Sequence, residues 1–393
     1  MLWEVCKGMQ DEIVAMRRDL HRIPELQLDL PETRAYVVKK LEEYGIPYSL
    51  SEKDSSIIAT INKGKPGKVI ALRADMDALP IQEANEVDYI SQHPGKMHAC
   101  GHDTHTSMLL AAGKVLQEHR DELNGEIRLL FQTAEEQSKG AQIVIENGGV
   151  KGADAVFGTH IGSIISKDIP AGTFIITPGA SMAAFDRFII RIQGVGCHGS
   201  TPEKGIDPVN VAAHIVLGLE AINAREFNAC VPVVVTIGQI HGGAAYNAIP
   251  NEVVIEGTTR AFDEEVRQRL ARRIGEISQA MAAAYGATVE FKMDWGAPPV
   301  VNDEAMAKFA ADCAKEIVGE DMVITEVEHP NMGGEDFAYY LGEVPGAFMF
   351  LSSANPAKHT DIAHHNPRFN VDEDVLWEGS AAFVGIAEKF LNG

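Results

Sequence analysis

Three apolar runs share one asymmetry: each stays hydrophobic almost to its end and then turns polar. GKVIALRADMD (67–77) closes on two aspartates, EIRLLFQTAEE (126–136) on two glutamates, and AVFGTHI (155–161) on a histidine. All three have strand length and read as buried strands. Between and around them lie segments with helical periodicity: PETRAYVVKKLEEYG (31–45, ending at Gly45), DTHTSMLLAAGKVLQEH (103–119) and SKGAQIVIENG (138–148). Strands alternating with helices predict an α/β domain with a mixed, largely parallel sheet. Open sheets of this kind bind ligands in the crevice beyond the carboxyl ends of their strands. Asp75, Asp77, Glu135, Glu136 and His160 are therefore predicted to converge in one cleft.

From about residue 185 the pattern changes. FDRFIIRIQ (185–193) alternates as a half-buried strand does, and DPVNVAAHIVLGLEAI (207–222) reads as a helix with Asp207 as N-cap and Pro208 in its first turn. VPVVVTIGQI (231–240) and NEVVIEGTTRAF (251–262) are strands, EEVRQRLARRIGEISQAMAAAYG (264–286) a helix, and TVEFKMDW (288–295) a strand. That order, β-α-β-β-α-β, is the split βαβ or ferredoxin-like arrangement. The first pattern then resumes with DEAMAKFAADCAKEIVG (303–319), GAFMFLSS (346–353) and EDVLWEGSAAFVGIAEKFL (373–391). The expected organisation is a discontinuous domain, 1–184 and 296–393, with a second domain, 185–295, inserted as a lid.

Composition removes several functions. With 34 Lys and Arg against 56 Asp and Glu, the 393-residue chain carries a formal charge of −22, which disfavours a phosphate-backbone partner; no nucleic acid is expected. No apolar run approaches the roughly 18 residues of a membrane span, and the N-terminus lacks the pattern of a secretory signal. Five scattered cysteines do not form a disulfide framework. No membrane association and a cytoplasmic location are the expectations.

The densest chemistry lies in MHACGHDTHT (97–106). In an extended loop, Cys100 and His102 point the same way and can reach one ion or a close pair. The plainer reading is a polar capping loop with Asp103 as helix N-cap, and a thiol nucleophile with His102 or His105 as base is a third. In TAEE, two carboxylates at the end of a buried strand repel one another unless a cation compensates them. One glutamate can then ligate metal while the other serves as general base. His160 ends its strand in GTHI, and AHHNPRF (363–369) adds His364 and His365. Cys100, His102, Glu136, His160 and one of His364 or His365 form a mixed S, N and O donor set. Such a set suits Zn²⁺, Mn²⁺, Co²⁺ or Ni²⁺ with an open position, unlike a four-cysteine structural zinc.

Taken together, LRADMDALP (72–80), MHACGHDTHT, FQTAEE (131–136), GTHI, GCHGSTPEKGIDPV (196–209), NAIPNEVVIEGTTR (247–260), MGGEDFAYY (332–340) and HNPRFNVDEDVL (365–376) resemble, in order, the aminoacylase-type di-metal amidohydrolases and peptidases. The closer likeness is to the branch holding hippurate hydrolases, N-acyl-amino-acid amidohydrolases and auxin-conjugate hydrolases. The resemblance implies a zinc-exopeptidase-like catalytic domain with helices on both sheet faces, a lid that also dimerises, and two divalent ions per subunit, Zn or Mn foremost and Co or Ni next. By position it implies Cys100 as a bridging thiolate, with His102, Glu136, His160 and His365 as further ligands. Glu135 would be the general base and Asp77 the outer partner of a ligand histidine. Where other branches carry a histidine two residues before that aspartate, this chain has Asp75, which fits His102 supplying the ligand instead.

In the inserted domain the resemblance makes His198 an oxyanion-stabilising residue that reaches the partner subunit's site. Asn247 and Arg260 would bind the substrate's carboxylate or carbonyl. His105, Cys197 and His241 receive no role, and Gly334, Glu335 and Asp336 are expected to shape the cleft floor. The implied activity is hydrolysis of the amide of an N-acyl-L-amino acid by a homodimer. A dipeptidase or carboxypeptidase is the alternative within the family, and a non-catalytic metal-dependent binding protein the alternative outside it.

Overall fold

The computed structural model describes residues 1–328 and 330–393. In chain order the elements begin with α1 (Gln10–His21), α2 (Pro31–Glu43), β1 (Tyr48–Leu50), β2 (Ile57–Ile61) and β3 (Lys68–Asp75). Next come α3 (His102–Glu118), β4 (Gly125–Gln132), α4 (Gly140–Glu146), β5 (Ala155–Ile161) and β6 (Phe174–Ile175). The middle holds β7 (Ala184–Gln193), β8 (Cys197–His198), α5 (Pro208–Arg225), β9 (Val233–Gly242), β10 (Ala248–Ile249), β11 (Glu252–Ala261), α6 (Glu264–Ala284) and β12 (Thr288–Trp295). The chain closes with α7 (Glu304–Val318), β13 (Val323–Ile324), α8 (Ala338–Leu341), β14 (Gly346–Leu351) and α9 (Leu376–Asn392).

Two compact units result. One comprises Met1–Ser181, Val300–Asn331 and Glu335–Gly393; the other comprises Met182–Pro299 with Met332–Gly334. The first is built on an eight-stranded sheet ordered β1-β2-β4-β3-β5-β14-β6-β13. Its centre, β4-β3-β5-β14, is parallel throughout, and antiparallel pairs lie toward the edges. This is the mixed, largely parallel α/β sheet anticipated from the alternation of strands and helices. Burial in β3 rises along the strand, from an exposed Lys68 to a fully buried Asp75. The polar residues at the strand ends are thus in the interior, where each needs a partner.

The second unit carries a four-stranded antiparallel sheet, β9-β11-β7-β12, with α5 and α6 packed on it. Sequence order β7-α5-β9-β11-α6-β12 with that strand order is the ferredoxin-like arrangement. Asp207 caps α5 as expected, its carboxylate accepting from the Val209 and Asn210 amides. Each unit encloses a hydrophobic core of its own.

Two local readings are corrected. Asp103 does not cap α3: Gly101 precedes the helix at φ 91°, and Asp103 lies inside the first turn, its Oδ2 shared by Arg17 and His21 and its Oδ1 accepting from the Thr104 amide. A fully buried guanidinium requires a carboxylate partner, and Asp103 supplies it from within the helix. The run 126–136 is not one strand either. β4 stops at Gln132, and Glu135–Gln137 form a single 3-10 turn flanked by Ala134 at φ 49° and Ser138 at φ 54°. Among the described residues no helix is long and apolar enough to cross a membrane.

Candidate metal centre

The carboxyl ends of β3, β4 and β5, together with two loops, assemble the chemistry inside the first unit. Asp77, two residues past β3, is the organiser. Its Oδ1 accepts from the Glu135 amide at 3.0 Å and its Oδ2 from the Glu136 amide at 3.3 Å, so one carboxylate holds the backbone of both glutamates. The same Oδ1 lies 3.4 Å from His102 Nδ1. One residue thereby registers the Glu pair against the histidine that opens α3.

Cys100 sits at the centre of two overlapping donor groups. With His160 and His364 it forms one; with Glu136 and His365 it forms the other, and within each group the ligand-type atoms lie within 4.8 Å of one another. Cys100 Sγ is 3.4 Å from His160 Nε2 and 3.7 Å from His364 Nδ1. His160 Nδ1 faces the Ile161 carbonyl at 2.9 Å and donates to it, which leaves the Nε2 lone pair toward the sulfur. His365 Nε2 lies 3.3 Å from Glu136 Oε1, and the His365 amide donates to the Ala99 carbonyl, joining the two histidine-bearing loops. Both His364 and His365 therefore reach the cluster, His364 the more buried of the two.

His102, Glu135 and Glu136 make a third group. Among the described residues, His102 Nε2 and His364 Nε2 are buried without a hydrogen-bond partner, while His102 Nδ1 faces Asp77. His105, by contrast, is fully committed: Nδ1 donates to Asp75 at 2.6 Å and Nε2 accepts from the Ile161 amide at 2.9 Å. It braces Asp75 and has no lone pair left for a ligand.

Electrostatics follow from burying so many acids. Burial raises Glu135 well above the ordinary carboxyl range, reinforced by Glu335, Glu136 and Asp336. Burial likewise raises the Cys100 thiol, with Glu136, Glu135 and Asp75 adding to it. For His102, burial disfavours the imidazolium, yet Asp75, Asp77 and Glu136 outweigh it and lift the ring to about 10. His160 is pushed well down by burial and by the neighbouring His105 and His364. Asp77 is raised by burial, with His102 pulling against that rise.

Beneath the site lies a salt-bridge cluster whose arginine received no role in the sequence reading. Arg73, buried in the middle of β3, bonds Asp75 at 2.7 Å and Glu335 and Asp336 at 2.9 Å each. Asp336 also accepts from Gln132 Nε2 and from the Ala141 amide. Its own amide faces Glu135 Oε1 at 3.4 Å. Glu335 and Asp336 thus do more than line a floor: they connect Arg73 to the candidate base. An arginine inside an otherwise apolar strand was the available signal, because a buried charge requires partners.

The remaining candidates belong to the second unit. His198 on β8 pairs with Ala248 on β10, and the Gly199 amide bonds the Asn247 carbonyl at 2.8 Å, so His198 and Asn247 are neighbours. Ser200's backbone amide donates to His198 Nδ1 at 3.1 Å. In the neutral ring that places the proton on Nε2, which is exposed and able to donate. Arg260, near the end of β11, is anchored on the Met332 carbonyl at 3.2 Å and lies over the Phe185 ring.

The sequence from residue 71 to residue 389 matches the model of peptidase family M20/M25/M40. The chain belongs to this family. N-acetyl-L-cysteine deacetylase of Bacillus subtilis shares 40% identity over 386 residues, 98% of this chain and 89% of the relative. Thermostable carboxypeptidase 2 of Saccharolobus solfataricus shares 38% over 390 residues, 98% of this chain and 97% of the relative. Among solved structures, the YXEP protein of Bacillus subtilis, described as a dinuclear metal binding peptidase from the M20 family, superposes with a TM-score of 0.83. It is 35% identical and covers 98% of this chain and 99% of its own. As an M20 member, the protein is a hydrolase of amide bonds, in line with the resemblance drawn from its motifs.

Proposed function

We propose that the protein hydrolyses the amide bond of N-acyl-L-amino acids, releasing a carboxylic acid and a free amino acid, and that it does so with two divalent cations. The observation that carries this reading is Cys100 at the overlap of two donor groups, beside a glutamate pair registered by Asp77. The donors fit metal: among the described residues His102 Nε2 and His364 Nε2 are buried without a hydrogen bond, and His160 turns its Nε2 lone pair toward the Cys100 sulfur. The buried acid surplus that holds protons on Glu135 and Cys100 is the charge two cations would balance. Cys100, His102, Glu136, His160 and His365 would hold the ions, with His364 adjoining, and mixed S, N and O donors favour Zn²⁺ or Mn²⁺ over the harder Mg²⁺ or Ca²⁺. When bound, the cations supply positive charge that acidifies a water and polarises the scissile carbonyl.

The protein's own groups then do the rest. A Glu135 carboxylate oxygen takes the proton from water as it attacks the carbonyl carbon, and returns that proton to the leaving amine nitrogen. His198, with its proton on Nε2, donates to the developing oxyanion. Asn247 and Arg260 hold the free carboxylate of the substrate, Arg260 through the fork geometry that suits carboxylates. We assign His198 to the partner subunit's site in a lid-to-lid homodimer, so gel filtration of the active enzyme is part of the test.

A cysteine-hydrolase mechanism is disfavoured because burial and three carboxylates hold the Cys100 thiol protonated, the opposite of an activated nucleophile. The carboxypeptidase reading retains support from a relative almost as similar as the deacetylase. A panel of N-acetyl, N-benzoyl and dipeptide substrates, assayed with Zn²⁺ and with Mn²⁺, decides between them. Higher kcat/KM on N-acyl amino acids is the expected result. Turnover confined to dipeptides would overturn the substrate assignment, and full activity after exhaustive chelation would overturn the metal assignment.

A further inference from the structure

The family match begins at residue 71, so helix α1 lies outside it. Yet α1 places two polar side chains one turn apart on its buried face. Arg17 and His21 sit among Ile13, Met16 and Leu20, and both are inaccessible to solvent. Burying a guanidinium and an imidazole is costly unless their nitrogens are partnered, and here each nitrogen has a partner. Arg17 Nε donates to Asp103 Oδ2 at 2.9 Å, Nη1 to Glu373 at 3.1 Å and Nη2 to the Asn370 side chain at 3.0 Å. His21 places Nδ1 2.7 Å from the same Asp103 oxygen and Nε2 3.0 Å from Glu83. The Tyr89 ring lies against the Arg17 guanidinium at 4.8 Å.

The partners decide what this arrangement does. Asp103 is the residue after His102, in the first turn of α3 and three residues past Cys100. Asn370 and Glu373 follow the His364–His365 loop. That loop also joins the hub through Glu83: Asn85 bonds both the Glu83 carboxylate and the Phe369 carbonyl. The two donor-bearing segments are joined directly by one backbone bond, His365 to Ala99. Arg17 adds a second tie. Two ties remove the rotation that a single bond leaves free.

We infer that Arg17 and His21 are positioning residues for the metal centre, acting through Asp103, Asn370 and Glu373 to hold the Cys100–His102 and His364–His365 segments at ligand distance. This rests on the two-metal reading proposed above. It assigns α1 a role in metal affinity in addition to packing. The charges also balance: Arg17, Arg18 and His21 face Asp103, Glu83 and Glu373, with Arg18 bonding Glu373 at 2.6 Å. The hub therefore needs no ion of its own to be stable.

The test is a Co²⁺ titration of the metal-free, full-length protein, read by thiolate-to-cobalt absorption, with circular dichroism as the check of folding. Arg17→Lys keeps the charge but cannot reach three acceptors at once, and Asp103→Asn weakens the shared grip. Both are expected to remain folded, to bind Co²⁺ about 10- to 100-fold more weakly and to show an altered absorption band, as loss of an outer partner does. A folded variant with the wild-type isotherm and spectrum would overturn the inference. If those substitutions prevent folding, His21→Gln, which removes one of the two grips on Asp103, is read in the same way; unfolding of all three would assign the hub to the core and overturn its role at the site. The metal reading is judged separately, on unsubstituted protein: a chain that takes up no Co²⁺, or a thiolate band that survives Cys100→Ser, would overturn that reading and this inference with it.

Discussion

Asp77→Asn isolates what one carboxylate contributes to the glutamate turn. The substitution is nearly isosteric, so packing is preserved while one acceptor oxygen becomes an NH₂. Asp77 accepts the Glu135 and Glu136 amides on different oxygens, at 3.0 and 3.3 Å. Either orientation of the asparagine therefore leaves one of these amides facing a donor. An orphaned buried N–H costs about 1–3 kcal/mol, and the surviving bond weakens by about 1 kcal/mol as its acceptor loses charge. Part of this is offset, because burial already raises the Asp77 carboxyl and neutralising it relieves that cost. The net loss is about 1–3 kcal/mol, and it is local to residues 134–138. At about 1.4 kcal/mol per tenfold, amide exchange in this turn should accelerate about 5- to 150-fold. Hydrogen exchange read by mass spectrometry on peptides covering 133–140 measures it, with β4 as the internal reference. Turnover should fall as well, since Glu135 loses its register. Unchanged exchange across the turn would refute the claim that Asp77 organises it.

Three further outcomes are expected. Glu135→Gln should retain metal, measured by inductively coupled plasma analysis, while kcat falls about 10²- to 10⁴-fold; near-normal turnover would remove Glu135 as the base. Gly101→Ala should lower the melting temperature and loosen metal retention, because φ 91° costs an L-residue about 1–2 kcal/mol and its Cβ would lie 3.0 Å from Ile161 Cγ2. Burial works to raise Asp103, but Arg17 and His21 outweigh it and hold the carboxyl far below the ordinary aspartate range. Its folded pKa thus lies below its unfolded value, so its stabilisation is complete above about pH 4 and lost as pH falls further. Urea denaturation across pH 3 to 7 should show that loss in the unsubstituted chain and a shallower acid limb in Asp103→Asn; a wild-type curve flat to pH 3 would refute the assignment.

Much of this was legible in the residues because period and punctuation are local properties. Strands that end in acids, an Asp-Pro opening to a helix, and a switch from βα alternation to βαββαβ order can all be read along the chain. Glu135, Glu136, His160 and Cys100 were legible for the same reason: each lies at or just past a strand end or helix start. What stayed hidden depends on competition between distant groups. Asp103 looks like a cap until Arg17, 86 residues away, claims it. His105 received no role from its sequence, and its task emerges only where Asp75 and the Ile161 amide occupy both of its nitrogens. No short window of sequence contains those competitors. The choice between His364 and His365 was of a different kind, since adjacent residues on one loop both approach Cys100, His364 beside His160 and His365 beside Glu136.

The turn that carries Glu135 and Glu136 is bracketed by two non-glycine residues in left-handed conformation, Ala134 and Ser138. Each costs about 1–3 kcal/mol relative to an ordinary backbone, so the chain stores that energy when it folds. On the proposed mechanism, the glutamates consequently arrive in a geometry that requires little reorganisation as Glu135 takes and returns its proton. Glycine at either position would release the stored energy and stabilise the fold. It would also return to each catalytic cycle an ordering cost that the present sequence meets once, at folding.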